Sequence, residues 1–386
     1  MKSPTRIVYL CDWLPPDFGA VGQYAVRFAR AAAIEGAQVT LVGFTSGAPL
    51  ESRSSFGDGE LTIRKIRREP YDRSNWLQRA LWTVSANLAL LWGARHALRR
   101  AHEVRFTGSP PYLLHFIMPV ALSLGIRTLY RITDFHPECL MAALDRAPLW
   151  LRAIQALTVF WRRRVDQIEV LGEDQRCRLQ GYGIGGEQVV LRRDPSPVRF
   201  EVRTPGHAVP DELRGKKLIL YSGNWGVAHD YRTFIEGFNV YCLAHPGTAG
   251  LWLNAVGKRA DLVAAELKRH RLPHVRTAPV PLARLPSVLR AADVHLITLE
   301  DNFVGYVLPS KVYACVASSK PVMFIGSQSS DVDLVCRENM PATQYRRADV
   351  GNALAVATGL HELLTARRDD PARSPIQVTR NRSLAI

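Results

Sequence analysis

Long apolar runs are missing from this chain of 386 residues. The uncharged stretch Ala80 to Ala94 (ALWTVSANLALLWGA) is broken by Ser85, Asn87 and Gly93. It falls short of the roughly 20 apolar residues that a spanning helix requires, so no transmembrane segment is expected. The opening MKSPTRIVYLCDW carries only Ile7 to Cys11 before Asp12, without the apolar core of a secretory leader, which predicts a cytosolic start. Metal-like cysteine spacing is absent too. Cys11, Cys139, Cys177, Cys242, Cys315 and Cys336 are scattered without a CxxC pair, and read as small buried side chains in a reducing compartment. Acidic residues are the minority: 35 Asp and Glu face 50 Lys and Arg, a net charge of +15. Such an excess points to anionic partners: nucleic acid, an acidic membrane surface or phosphorylated small molecules. No helix-turn-helix, zinc-finger or RNP-like signature accompanies it, so nucleic acid is not an expected partner.

What is present is a globular composition, 47% hydrophobic and 22% charged, long enough for two to three domains. RIVYLCDW reads as a strand, QYAVRFARAAAIEG as a helix and QVTLVGF as the next strand, a βαβ unit that implies a parallel sheet. LTIRKIRR, VRFTGSPP, RTLYRITD and QIEVLGE continue the strands, with helices over about Trp76 to Arg100 and along LWLRAIQALTVFWRRRVD. Pro, Gly and charge then dominate, and KLILYSGNWG begins a second α/β series. The expected architecture is two Rossmann-like, doubly wound parallel-sheet α/β domains facing a central cleft. The boundaries read as 1–196 for the first domain, 197–214 for a linker, 215–364 for the second domain and 365–386 for a polar tail. Ligands in such sheets bind beyond the carboxyl ends of the strands.

Four loop segments have the composition of anion sites. PPDFGAVG places Gly19 and Gly22 before a helix, where backbone N–H groups can approach a phosphate, although a plain tight turn explains the same residues. It is not GxGxxG, and Phe44-Thr45-Ser46 ends the second strand without an acidic residue, which argues against a nicotinamide dinucleotide. In the second half, Ser222-Gly223-Asn224-Trp225-Gly226 precedes His229, and Val256-Gly257-Lys258-Arg259 is another glycine turn with cations. In the run Gly305 to Tyr313, Ser310 and Lys311 open a helix, a hydroxyl and an ammonium suited to a diphosphate.

In their order and spacing, PPDFGAVGQYAVRFARAAAIEGAQVTLV, GSPP at 108–111, YRITDFHPE at 130–138, IEVLGEDQRCRLQGYGI, LYSGNWGVAHD and PSKVYACVASSKPVMFIG resemble a known family. It is the two-Rossmann (GT-B) glycosyltransferases of family 4, in the branch that builds bacterial surface polysaccharides. The resemblance runs from Ile7 to about Leu364. It implies a retaining transferase that takes a sugar from a nucleotide-diphosphate donor, held mainly by the C-terminal half, to an acceptor on the N-terminal half. No metal and no separate cofactor is implied, because Lys, Arg and helix ends can stabilise the leaving diphosphate. Lys311 is the expected cation, with Asn224, Gly226, Gly257, Ser310, Gly19 and Gly22 as further donor contacts. Asp134 is expected to meet the donor sugar or an acceptor hydroxyl, and His136 to relay a proton. The alternative for Asp134 and Glu138 is to cap the helix that begins near Pro137. Asp331-Val332-Asp333 spells a metal-binding DxD but is expected in a polar loop, outside the chemistry.

One departure stands out. The family carries two glutamates eight positions apart, the second holding the donor ribose; here those positions are Tyr306 and Ala314. Glu300 or Asp301 is the candidate substitute. The missing glutamate also keeps open a weakened or inactive binding subunit of a polysaccharide assembly system, and a nucleotide-sugar epimerase shares the fold. Aromatic residues beside arginines (Trp76, Trp82 and Trp92 with Arg95, Arg99 and Arg100; Trp150, Phe160 and Trp161 with Arg162, Arg163 and Arg164) suit an anionic bilayer. Two core helices with solvated basic ends would look the same. The bilayer reading predicts a peripheral protein on the cytoplasmic face of the inner membrane, acting on a polyprenyl-diphosphate-linked saccharide.

Overall fold

A computed structural model describes residues 4–17, 20–69, 76–201 and 206–366. The chain divides between Arg193 and Asp194 into two compact units, each built on its own sheet.

The first unit contains strands β1 (Arg6–Trp13), β2 (Gln38–Thr45), β3 (Leu50–Phe56), β4 (Gly59–Arg67), β5 (Glu103–Thr107), β6 (Arg127–Arg131), β7 (Gln167–Val170) and β8 (Val189–Leu191). Its helices are α1 (Ala20–Ile34), α2 (Trp76–Leu98), α3 (Leu113–Leu124), α4 (Glu138–Ala142), α5 (Leu149–Arg162) and α6 (Glu173–Gly181). The sheet order is β3-β4-β2-β1-β5-β6-β7-β8, parallel except for β3, which pairs antiparallel with β4. Chain order reverses at β1, which lies between β2 and β5. Ile7, Tyr9 and Cys11 of β1 pack on Ala25, Ala29, Ala32 and Ala33 of α1, small side chains that let helix and strand approach closely. Gly22 lies at the tightest point: a Cβ there would stand 1.8 Å from the Trp13 carbonyl oxygen. Its lack of a side chain is required by this packing, whatever its backbone N–H does.

The second unit carries β9 (Lys217–Asn224), β10 (Ala249–Val256), β11 (His274–Thr277), β12 (Val294–Thr298), β13 (Val322–Ile325) and β14 (Tyr345–Ala348). Between and after them come α7 (Arg232–Ala244), α8 (Lys258–Arg269), α9 (Leu285–Ala291), α10 (Lys311–Ala317), α11 (Asp331–Asn339) and α12 (Ala353–Thr365). All six strands are parallel, in the order β11-β10-β9-β12-β13-β14. In chain order that is 3-2-1-4-5-6, the Rossmann arrangement, with the reversal between β9 and β12. Trp225, Phe234, Phe238 and Leu360 are fully buried in its largest apolar cluster.

Two expectations change in detail. The stretch read as a linker is packed: Val198 and Leu213 are buried with Leu218, Leu220 and Trp252 of the second sheet's surroundings. Apolar residues spaced through a Pro-rich segment attach it to the following unit. The tail read from 365 begins where α12 ends at Thr365; residues 367–386 lie outside the described ones.

Candidate active site

The carboxyl ends of β9, β10 and β12 collect the polar residues of the second unit. Asn224 closes β9, and the chain turns through Trp225 and Gly226 to His229 and Asp230 before α7. The aromatic rings of Tyr221 and Trp225 stack with centroids 3.8 Å apart, and the Tyr221 hydroxyl donates to the Asn224 carbonyl at 3.1 Å. These contacts hold the turn rigid. Gly257, at φ +102°, begins α8 against Asn224: a Cβ there would meet Asn224 Oδ1 at 2.4 Å. Gly226 lies beside the same amide, its missing Cβ 3.6 Å from Asn224 Nδ2. Glycine at 257 is therefore what allows the β9 and β10 turns to meet.

Lys311 begins α10, immediately after Ser310. Its Nζ sits 3.3 Å from the centroid of the Tyr221 ring, beside Gly223. It has no hydrogen-bond partner. Burial lowers its pKa from 10.5 to about 7, with the Cys315 thiol pulling slightly the other way. His229 is buried nearby, its Nδ1 2.6 Å from the Thr298 carbonyl oxygen. Facing a carbonyl, Nδ1 carries the proton, which leaves Nε2 as an acceptor. Burial, with Lys311 and Arg259 adding to it, pushes the His229 pKa down to about 3, so the ring is neutral at physiological pH. Arg259 donates to the His229 carbonyl at 2.9 Å and lies 3.6 Å from Glu300. The Glu300 carboxyl is drawn upward by burial and by Asp230, with Arg259 opposing.

Buried polar atoms in folded proteins are nearly always paired. Here Lys311 Nζ, Trp225 Nε1, Asp230 Oδ2, Asn254 Oδ1 and Thr298 Oγ1 are buried without a hydrogen-bond partner, all toward the carboxyl ends of this sheet. A cation, an indole donor, neutral acceptors and one carboxylate on this side of the sheet are equipped to meet a ligand that carries both phosphate and hydroxyl groups.

In the first unit, Asp134 follows β6 in a loop that leads through His136 to α4. Gly108, after β5, approaches it: a Cβ there would lie 3.3 Å from the Asp134 carbonyl oxygen. Burial raises the Asp134 pKa, and His136 partly offsets the rise. The His136 ring stands 6.2 Å from that of Tyr112. Glu138 does not cap α4; its buried carboxylate pairs bidentately with Arg162 at 2.5 and 3.2 Å. Arg162 also donates to the His136 carbonyl at 3.1 Å and lies 4.8 Å from the Phe135 ring centroid. Gly22 belongs to α1, after β1, and Gly19 lies outside the described residues.

The DxD pair is not in a loop. Asp331 and Asp333 are buried in the first turn of α11. Asp333 accepts from Arg337 Nε at 2.7 Å and from the Tyr345 hydroxyl at 2.7 Å, so both of its oxygens have structural partners. Ala314, where the resemblance would place a ribose-binding glutamate, is buried against Leu220, Val288 and Leu289. Arg162, read as part of a surface cluster, is fully buried and paired with the equally buried Glu138; nothing in an arginine run shows which member has such a partner. Sequence reasoning also passed over Tyr221, the platform under Lys311, since an aromatic inside an apolar strand looks like any core residue.

Comparisons agree with this architecture. No protein-family model matches the chain. It is 24% identical over 248 residues to the probable glycosyltransferase WbjE of Pseudomonas aeruginosa, the match covering 62% of this chain and 61% of the relative's length. It is 22% identical over 357 residues to the putative colanic acid biosynthesis glycosyl transferase WcaI of Escherichia coli strain K12, covering 83% of each. Among solved structures, α,α-trehalose 6-phosphate synthase from Burkholderia multivorans superposes with a TM-score of 0.64 at 14% identity, covering 95% of this chain and 90% of that one. Alr3699/HepE of Anabaena, solved with UDP and glucose, gives 0.61 at 10% identity, covering 92% and 88%. The fold is GT-B, and the sequence similarity is to glycosyltransferases of the surface-polysaccharide type.

Proposed function

We propose that this GT-B chain, similar to glycosyltransferases of surface-polysaccharide assembly, transfers a sugar with retention from a nucleoside-diphosphate donor to a lipid-linked saccharide. The observation that carries the reading is Lys311 Nζ, buried and unpartnered among orphaned polar atoms at the carboxyl ends of the second sheet. Departure of the diphosphate leaves an oxocarbenium-like sugar and places negative charge on the phosphate oxygens. Protonated Lys311 neutralises that charge, with Arg259, Asn224 and the backbone at Gly226 and Gly257 orienting the phosphates. Neutral His229 offers Nε2 to a sugar hydroxyl. Asp134, with a raised pKa, and His136 act on the acceptor hydroxyl. No divalent ion is needed in this scheme, since Asp333 already holds Arg337 and Tyr345. The solved neighbour with UDP and glucose supports a nucleotide-sugar donor.

The test is a thermal-shift screen of UDP-, GDP-, TDP- and CMP-sugars, followed by a transfer assay in EDTA with a polyprenyl-diphosphate-linked acceptor. Stabilisation by one donor and turnover in EDTA are expected. Absence of turnover with every donor would favour the binding subunit, for which Ala314 is the evidence. Conversion of the donor sugar without acceptor would favour the epimerase.

Glu300 takes the place of the absent ribose-binding glutamate in this reading. Glu300→Ala should raise the donor KM about 10- to 100-fold with kcat little changed, as expected for a charge-assisted hydrogen bond of ~1.5–3 kcal/mol. An unchanged KM would assign the ribose elsewhere.

The first unit supplies the membrane contact. Trp92 is 70% exposed and Trp150 58%, with Phe160 also at the surface. Arg95 stacks on Trp92 at 4.1 Å and Arg164 on Phe160 at 3.5 Å, pairing apolar rings with cations as an anionic interface requires. Trp82 and Arg162 do not take part: Trp82 stacks on Trp13, and Arg162 is buried. Wild-type protein should pellet with phosphatidylglycerol vesicles at low salt, and Trp92→Ala/Trp150→Ala should remain in the supernatant. Equal pelleting of the two proteins would remove this face from the reading.

A further inference from the structure

At the opposite, amino-terminal end of the first sheet, one face of the strands is lined by polar and charged side chains. Interior parallel strands are covered on both faces and are apolar on both. Yet β1, β2 and β4, all interior, place Arg6, Gln38 and Glu60 in one register row. The next row on the same face, two residues along each strand, is Val8, Thr40, Thr62 and Arg53 of β3. Arg64 and Glu51 form a third. His96 and Ala97 in the last turn of α2, with Arg100 just beyond it, flank these rows and bound an open cavity of about 330 Å³.

The charges in the cavity are arranged, not merely numerous. Arg53 pairs with Glu60 and Arg64 with Glu51, both at 2.8 Å, so the charges of two guanidiniums are balanced. Arg6 and Arg100 face no carboxylate among the described residues, leaving a surplus of two positive charges. Guanidinium groups match phosphate oxygens in pairs, and the hydroxyls of Thr40 and Thr62 and the Gln38 amide supply further donors. The volume exceeds that of a phosphate alone and accommodates a small esterified group.

We propose that this cavity is a second anion site, separate from the transfer site, that binds the dianionic phosphate of a phosphate monoester. It lies roughly 20 Å from the carboxyl end of β1, the length of that strand, so its occupant takes no part in the chemistry there. Its ligand is a soluble sugar phosphate or the headgroup of a phosphomonoester lipid; the recognition chemistry is the same.

The experiment uses full-length Lys311→Met protein, which keeps side-chain volume and removes the diphosphate site from the measurement. Glucose 6-phosphate is titrated by calorimetry, and phosphatidate vesicles are compared with phosphatidylglycerol vesicles in sedimentation. Saturable binding of glucose 6-phosphate, or preference for phosphatidate over the diester lipid, is expected, and identifies the source. Arg6→Gln/Arg100→Gln should weaken that binding at least tenfold; both side chains are exposed, so the fold tolerates the change. The same double substitution in the Lys311 background should leave transfer in the absence of phosphate monoesters unchanged. Binding of neither probe, or binding indifferent to Arg6→Gln/Arg100→Gln, overturns the proposal without touching the transferase reading.

Discussion

Lys311→Met abolishes the thermal shift given by the nucleotide-sugar donor and lowers kcat/KM by ~10²–10³, the effect of removing a preorganised charge from a developing anion. The free protein, by contrast, should melt at or above the wild-type temperature. A buried amine without a hydrogen-bond partner is costly, and methionine fills its volume without that cost. Loss of donor response with retained stability separates a binding role from a structural one.

The same residue links donor binding to pH. With a pKa of about 7 against 10.5 unfolded, Lys311 is half protonated near neutrality in the free protein. A diphosphate favours the charged form, so above pH 7 the donor binds with uptake of a proton. Affinity should fall about tenfold per pH unit above 7, until the raised pKa of the complex is passed. Calorimetry in buffers of different ionisation enthalpy reads the proton directly. The sign for folding is the reverse. The unfolded chain binds more protons between pH 7 and 10.5, so the cost of burying this amine is full below that interval and is relieved as pH rises through it. His229, already neutral, does not titrate there. An affinity flat from pH 7 to 9 would falsify the assignment.

Much of this was legible from pattern. The parallel βαβ series was read from alternating apolar strands and helical periodicity, and the strand-end glycine turns from composition. β3 escaped because all but one of its residues are exposed, so LESRSSF shows no apolar alternation. β8 is three residues long and β14 is the mostly polar YRRA, too little signal for a strand. Lys311 was singled out because a cation at a helix start is visible in one dimension. Its chemistry was not: the low pKa comes from burial that only the packed sheet supplies, over the ring of Tyr221, ninety positions earlier. The opposite error occurred at Arg162, which belongs to a basic run by sequence and to Glu138 by contact.

Arg162→Ala should produce the largest loss of stability of any single substitution considered. Its guanidinium is fully buried, and the change strands the equally buried Glu138 carboxylate. Breaking such a pair from one side costs about 3–5 kcal/mol. For a unit of this size that lowers the melting temperature by roughly 10 °C. The consequence reaches the acceptor side, because Arg162 Nη2 also holds the His136 carbonyl and the guanidinium stacks on Phe135. The pair therefore sets the course of the segment from Asp134 to Glu138, making Arg162 a positioning residue. Arg162→Met/Glu138→Leu distinguishes the two contributions. Removing both charges together relieves the stranded carboxylate, so stability should return to near wild type. The His136 carbonyl still loses its donor, so the acceptor KM should remain elevated while donor binding in the second unit is unchanged. Recovery of both stability and acceptor KM in the double variant would reduce the pair to a packing element and leave the position of Asp134 to Gly108 and the β6 strand alone.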